Sequence, residues 1–224
     1  MIRAVLFDMD ETLLDRQASL RAFAAAQYSR HRDRLAGLSV DSFVERFIEL
    51  DNNGALWKDE VYRRILDEHR IAAIDPQSLL AEYIAGFHCF CQPFPGLGEM
   101  AAELIADGRR LGLITNGLYP FQWRNFQALG VAHSFSAVLV SEKEGVRKPD
   151  PEIFRRALAR LGVTADEAVF VGDNPEADIR GAQRVGMRTV YRPNRFWPEC
   201  PLADAVCTDL HELPAILRGF EVGP

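Results

Sequence analysis

Cysteine is scarce in this chain. Cys89, Cys91, Cys200 and Cys207 are its only four in 224 residues; they do not amount to a disulfide framework, and their spacing matches no zinc-ligand pattern. Reduced thiols in a cytoplasmic protein are expected. The five histidines, at positions 31, 69, 88, 133 and 211, are scattered without a ligand spacing. No apolar run approaches the length of a membrane span, and the N-terminus reads as a strand rather than a signal peptide, so no membrane partner is expected. Basic clusters are missing too. Lys+Arg number 26 against 32 Asp+Glu, a formal net charge of −6, and the arginines are spread over helix-like segments. That speaks against a nucleic-acid polymer as partner but leaves a nucleotide substrate open.

What is present is an ordinary globular composition, 48% hydrophobic and 26% charged, long enough for one large domain or a core with a smaller second unit. Disorder is expected only at the tail, residues 221–224. Apolar strand-like segments recur at Ala4–Phe7, Leu111–Ile114, Ala137–Val140, Ala168–Val171, Arg188–Tyr191 and Ala205–Cys207. Helix-like segments at Leu97–Asp107, Pro120–Leu129, Pro151–Leu161 and Pro175–Val185 alternate with them, three opening near a proline and three followed by Gly130, Gly162 or Gly186. This alternation predicts an α/β fold with a Rossmann-like, doubly wound parallel sheet. Residues 16–91 break the pattern and read as four helices: Arg16–Arg34, Ser39–Leu50, Lys58–His69 and Pro76–Phe90. They predict a helical bundle cap inserted into a core made of residues 1–15 and 92–224.

The chemistry gathers at strand ends. The first strand runs into Asp8-Met9-Asp10-Glu11-Thr12, two carboxylates whose repulsion a hard cation such as Mg²⁺ relieves. The pair suggests a metal-assisted site in which one aspartate attacks and the other carries a proton. Thr115-Asn116-Gly117 offers a hydroxyl and backbone amides just before a helix, an anion cradle. Lys148 precedes Pro149 and Pro151, which stiffen the chain beyond it. Gly172-Asp173-Asn174 opens an acidic turn that reaches Asp178. In an open α/β sheet these elements share the edge where ligands bind. Taken singly, Asp178 also reads as a first-turn acid at a helix dipole, and Asn174 as an N-cap before Pro175.

These four motifs, in this order and across nearly the whole chain, resemble the haloacid dehalogenase (HAD) superfamily of phosphohydrolases. The Asp-x-Asp-Glu-Thr run, the Thr-Asn-Gly motif and the helical cap are similar to its pyrimidine 5′-nucleotidases and acylneuraminate-9-phosphate phosphatases. The resemblance implies a Mg²⁺-dependent phosphomonoesterase for a small phosphorylated metabolite, a nucleotide monophosphate or a sugar phosphate. It implies Asp8 as nucleophile through an aspartyl-phosphate and Asp10 as acid and then base. Mg²⁺ would be held by Asp8, the Asp10 carbonyl and Asp173, supported indirectly by Asp178. Thr115, Asn116 and Lys148 would bind the phosphoryl group.

In the cap, Trp57, Lys58 or Arg63 would meet the rest of the substrate; otherwise the loop is a turn with one aromatic pinning two helices. Phe87–Phe90 is expected to pack where cap meets core. A haloacid dehalogenase is the alternative in which aspartate attacks carbon, and Asp10 counts against it. A phosphomutase would keep every group named here. A non-catalytic metabolite- or protein-binding module would tolerate their loss. A monomer or a homodimer is expected.

Overall fold

Ala4–Phe7 forms a strand buried along its whole length, as a run of aliphatic residues without polar alternation should when both sheet faces are covered. The computed structural model describes residues 1–221; the expectation for the tail at 222–224 lies outside them. In chain order the strands are β1 (Ala4–Phe7), β2 (Arg110–Thr115), β3 (Phe135–Val140), β4 (Ala168–Gly172), β5 (Arg188–Tyr191) and β6 (Ala205–Val206). They form one sheet in the order β3-β2-β1-β4-β5-β6, with every pairing parallel. The doubly wound α/β fold read from the sequence is the observed one. From β1 the chain builds outward through β2 and β3, then returns to the other side of β1 as β4. Strand order therefore reverses at β1, and ligands in such sheets bind in the crevice outside the strand C-termini at that point.

Between β1 and β2 come α1 (Arg16–Arg30), α2 (Val40–Asp51), α3 (Lys58–Glu68) and α4 (Pro76–Gly86). After them follow α5 (Leu97–Ala106), α6 (Phe121–Ala128), α7 (Ser141–Glu144), α8 (Pro151–Leu161), α9 (Gly181–Gln183) and α10 (Leu213–Gly219). The chain divides into two compact units, Met1–Asp15 with the chain from Pro93 onward, and Arg16–Gln92. Gln92 goes with the helical unit, where its N–H donates to Ser19 Oγ at 2.9 Å.

In the sheet unit, α8 shows how sequence becomes packing. Asp150 caps its start by accepting the Glu152 N–H, and Gly162, in the left-handed region, closes its end. Ile153, Phe154, Ala157, Leu158 and Leu161 fall on one face and bury against Leu6, Ile114, Leu139 and Phe170. Phe154 meets Phe170 edge to face at 5.2 Å. Each large apolar side chain so buried contributes about 1.5–3 kcal/mol. The expected helix Pro175–Val185 departs from prediction: Pro175–Arg180 is a π-helical turn, and only Gly181–Gln183 is α-helical.

In the helical unit, α1 buries Leu20, Phe23, Ala24 and Gln27, spaced three or four residues apart on one face. It ends at Arg30 rather than Arg34, and the last predicted helix changes at Gly86 into a 3₁₀ turn, Phe87–Phe90. The Phe23 ring meets Tyr83, Phe87 and Phe90 edge-on at 5.4, 6.1 and 5.5 Å. This aromatic knot ties α4 and its 3₁₀ extension to α1.

Candidate active site

Four strand ends supply the site. Leaving β1, the chain turns sharply: the N–H groups of Thr12, Leu13 and Leu14 all point to the Met9 carbonyl, and Glu11 takes a positive φ of 58°. Asp8 continues the β1 ladder, its N–H donating to Val171 O at 2.9 Å, so its carboxylate is fixed beside the end of β4. From beyond β3, Lys148 sends its ammonium to Asp8 Oδ1 at 2.5 Å and to Asp178 Oδ1 at 2.6 Å. The lysine is only 3% exposed. A fully desolvated ammonium survives because two carboxylates flank it. Burial works against its charge, but Asp178 and Asp8 prevail and raise its pKa.

Asp173 leaves β4 directly, and Asp178 returns toward it from the π-helical turn. Asn174 caps that turn as predicted, accepting the N–H groups of Glu176 and Ala177. Its own N–H donates to Asp178 Oδ2 at 3.0 Å. Gly172 makes the approach possible, since a Cβ there would lie 2.5 Å from the Asp178 carboxyl. The result is a buried cluster in which one carboxylate oxygen each from Asp8, Asp173 and Asp178 lies within 4.8 Å of the others. Burial, with Asp178 and Asp10 nearby, pushes the Asp8 carboxyl up to about 7 despite Lys148. Burial, then Asp178 and Asp8, also drive Asp173 well above the ordinary carboxylate range. Three hard oxygen donors, crowded and partly uncompensated, fit a divalent cation of the Mg²⁺ type.

Thr115 ends β2, buried, with its hydroxyl accepting from Gln122 Nε2 at 3.2 Å. The Asn116 side chain is committed elsewhere: it donates to Lys148 O at 3.0 Å and accepts the Lys148 N–H at 2.9 Å. Only its main chain is left for an anion. Asp10 stands outside the carboxylate cluster and receives Gln122 Nε2 at 2.8 Å.

In the helical unit, Trp57 packs edge-on to Tyr83 at 6.4 Å. Lys58 is buried and ion-paired with Asp51, its ammonium 5.7 and 5.2 Å from the Phe47 and Tyr83 rings. Asp51 also takes a bidentate pair from Arg16, at 2.6 and 2.9 Å. Arg63 bonds Glu60 and Asp67 on its own helix.

Sequence reading missed Gln122, Asn125 and Asn194. Asn194, beyond β5, donates to Asp173 Oδ2 at 2.6 Å. Amides carry no charge pattern to betray them. The one available signal was position, Gln122 lying in the first turn of the helix that follows Thr115-Asn116-Gly117.

With this geometry in view, the haloacid dehalogenase-like hydrolase profile matches residues 2–186. The chain belongs to that family. A glyceraldehyde 3-phosphate phosphatase of Methanopyrus kandleri is 34% identical over 210 residues, covering 85% of this chain and 83% of its own. That relative is one of the family's phosphatases. Among solved structures, a 2-haloacid dehalogenase from Pseudomonas syringae is 31% identical with TM-score 0.62, covering 98% of this chain and 100% of that one. The putative HAD-hydrolase YfnB of Bacillus subtilis, bound to magnesium, shares the fold at TM-score 0.77 and 24% identity, covering 96% and 98%. Among the described residues no helix is long and apolar enough to cross a membrane.

Proposed function

We propose that this enzyme hydrolyses a small phosphorylated metabolite through an aspartyl-phosphate on Asp8. The observation that carries the reading is the Asp8–Lys148–Asp178 line of contacts beside Asp173. It sets one carboxylate against a cation at the edge of the sheet where ligands bind. Asp8 Oδ would bond to phosphorus as the ester P–O bond breaks, and Asp10 would give its proton to the leaving oxygen. Asp10, now a carboxylate, would then take a proton from water as that water's oxygen attacks phosphorus. This frees Asp8 and releases inorganic phosphate.

Asp8, the Asp10 carbonyl and Asp173 would hold Mg²⁺, with Asp178 behind them. The cation's contribution is to neutralise charge on the phosphoryl oxygens. Lys148 supplies fixed positive charge beside Asp8, so that a carboxylate can approach a phosphate dianion. Thr115 and the main chain at Asn116 would bind the phosphoryl oxygens. The Methanopyrus relative's name favours a sugar phosphate over a nucleotide as substrate.

Likeness to the dehalogenase raises a second reading, attack by Asp8 on carbon. Asp10 is the group against it, because halide leaves carbon without a proton and a proton carrier beside Asp8 has no task in that reaction. Phosphate release from a panel of sugar phosphates and nucleotide monophosphates, with Mg²⁺ and with chelator, tests the proposal. Metal-dependent release supports it; no release together with halide release from 2-haloacids would replace it with the dehalogenase.

A further inference from the structure

We infer that Gln122 is a positioning residue for Asp10, holding the proton-carrying carboxylate in place from the first turn of α6; the inference rests on the roles proposed above for Asp8 and Asp10. Gln122 Nε2 faces three oxygens: Asp10 Oδ2 at 2.8 Å, Thr115 Oγ1 at 3.2 Å and the Asn116 carbonyl at 3.3 Å. The orientation of the amide is forced by its partners. Reversed, its carbonyl oxygen would meet the Asn116 carbonyl and the Asp10 carboxylate, both acceptors when Asp10 is ionised. At the other end, Asn125 Nδ2 donates to Gln122 Oε1 at 3.1 Å, so the next turn of the helix pins the amide from behind.

Burial makes the arrangement rigid, since Gln122 is 5% and Asn125 1% exposed. Gly117 belongs to the same device. Its φ of 150° lies where L side chains are strained, and a Cβ there would come within 2.7 Å of Gln122 Cγ. The third residue of the Thr-Asn-Gly motif therefore leaves the room that Gln122 fills. A single amide thus links the Asp10 carboxylate to the Thr115 hydroxyl, so the proton carrier and the phosphate-binding strand end share one register. A carboxylate free to rotate would reach the leaving oxygen in only some of its orientations, and general acid catalysis depends on that reach.

The leaving group separates positioning from mere structural support. An alkoxide needs the Asp10 proton as the ester bond breaks, whereas p-nitrophenolate leaves without it. kcat/KM, which reports steps up to phosphoryl transfer onto Asp8, is measured for the best alkyl phosphate of the panel and for p-nitrophenyl phosphate. The enzymes are wild type, Gln122→Leu and the isosteric Gln122→Glu, which still accepts from Asn125 but turns an acceptor toward Asp10. In both variants p-nitrophenyl phosphate is expected to lose what the shared contact to Thr115 supplies, and the alkyl phosphate about tenfold or more beyond that. Equal losses on the two substrates, or no loss on either, would overturn the inference while leaving the phosphatase intact. Wild type that hydrolyses neither ester would remove the proposed function itself.

Discussion

Asn116 grips Lys148 by its main chain, donating to the Lys148 carbonyl at 3.0 Å and accepting its N–H at 2.9 Å. One side-chain amide thereby satisfies both polar backbone groups of the residue whose ammonium bridges Asp8 and Asp178. Asn116→Asp keeps the acceptor but turns a second oxygen toward the Lys148 carbonyl, so Lys148 should shift. Asn116→Ala removes both bonds. Each variant is expected to lower kcat/KM about 10- to 100-fold with little change in secondary structure by circular dichroism. An Asn116→Ala enzyme as active as wild type would show that Lys148 needs no such grip.

Gly172 has an equally specific task, because its missing Cβ is what lets the Asp178 carboxyl come close. Gly172→Ala forces Asp178 aside and with it the contact to Lys148. Mg²⁺ affinity measured by calorimetry should fall about tenfold or more, as when groups supporting metal ligands are disturbed. Unchanged affinity would separate Asp178 from the metal site.

The pH dependence of metal binding follows from Asp8, pushed up by burial to about 7 against an ordinary 3.8. An acid raised on folding gives stability that is fully present below about 3.8 and is lost as pH rises through about 7. A cation binding the ionised form restores that loss. The Mg²⁺-induced rise in Tm should therefore be small at pH 5.5 and large at pH 8. A rise that is the same at both pH values would contradict the account of the cluster.

Asp51 behaves in the opposite sense. Burial alone would raise its carboxyl, but hydrogen bonds and charge from Arg16 and Lys58 hold it down to about 2 from 3.8. This depression corresponds to about 2 kcal/mol, present above about pH 4 and lost as pH falls through 2. In urea titrations, Asp51→Asn should be clearly less stable than wild type at pH 7, and the gap should narrow toward pH 2. A gap independent of pH would mean that charge at Asp51 is not what matters.

Much of the architecture was legible because its signals are local. Ala4–Phe7 and Arg188–Tyr191 are apolar runs of strand length, and Asp150 with Pro151 and Gly162 brackets α8 from both ends. Asp8, Thr115 and Asp173 were legible because each sits at or next to a strand end, and Lys148 because Pro149 and Pro151 stiffen the chain beyond it. The π-helical turn at Pro175–Arg180 was not, since its register depends on the Asn174 cap and on Asp178 folding back over Gly172. Nor was the commitment of Asn116 to Lys148, a contact across 32 residues. The pairing of Lys58 with Asp51 and Arg16 was equally hidden, because nothing local distinguishes a buried ion cluster from solvated charges.

The central claim is that Asp8 accepts the phosphoryl group. Enzyme mixed with Mg²⁺ and p-nitrophenyl [³²P]phosphate, quenched in acid within one turnover and digested, tests it most directly. The account predicts label on the peptide containing Asp8, discharged by hydroxylamine, and neither label nor phosphate release from Asp8→Asn. Phosphate release by wild type with no labelled peptide, or undiminished release by Asp8→Asn, would contradict it.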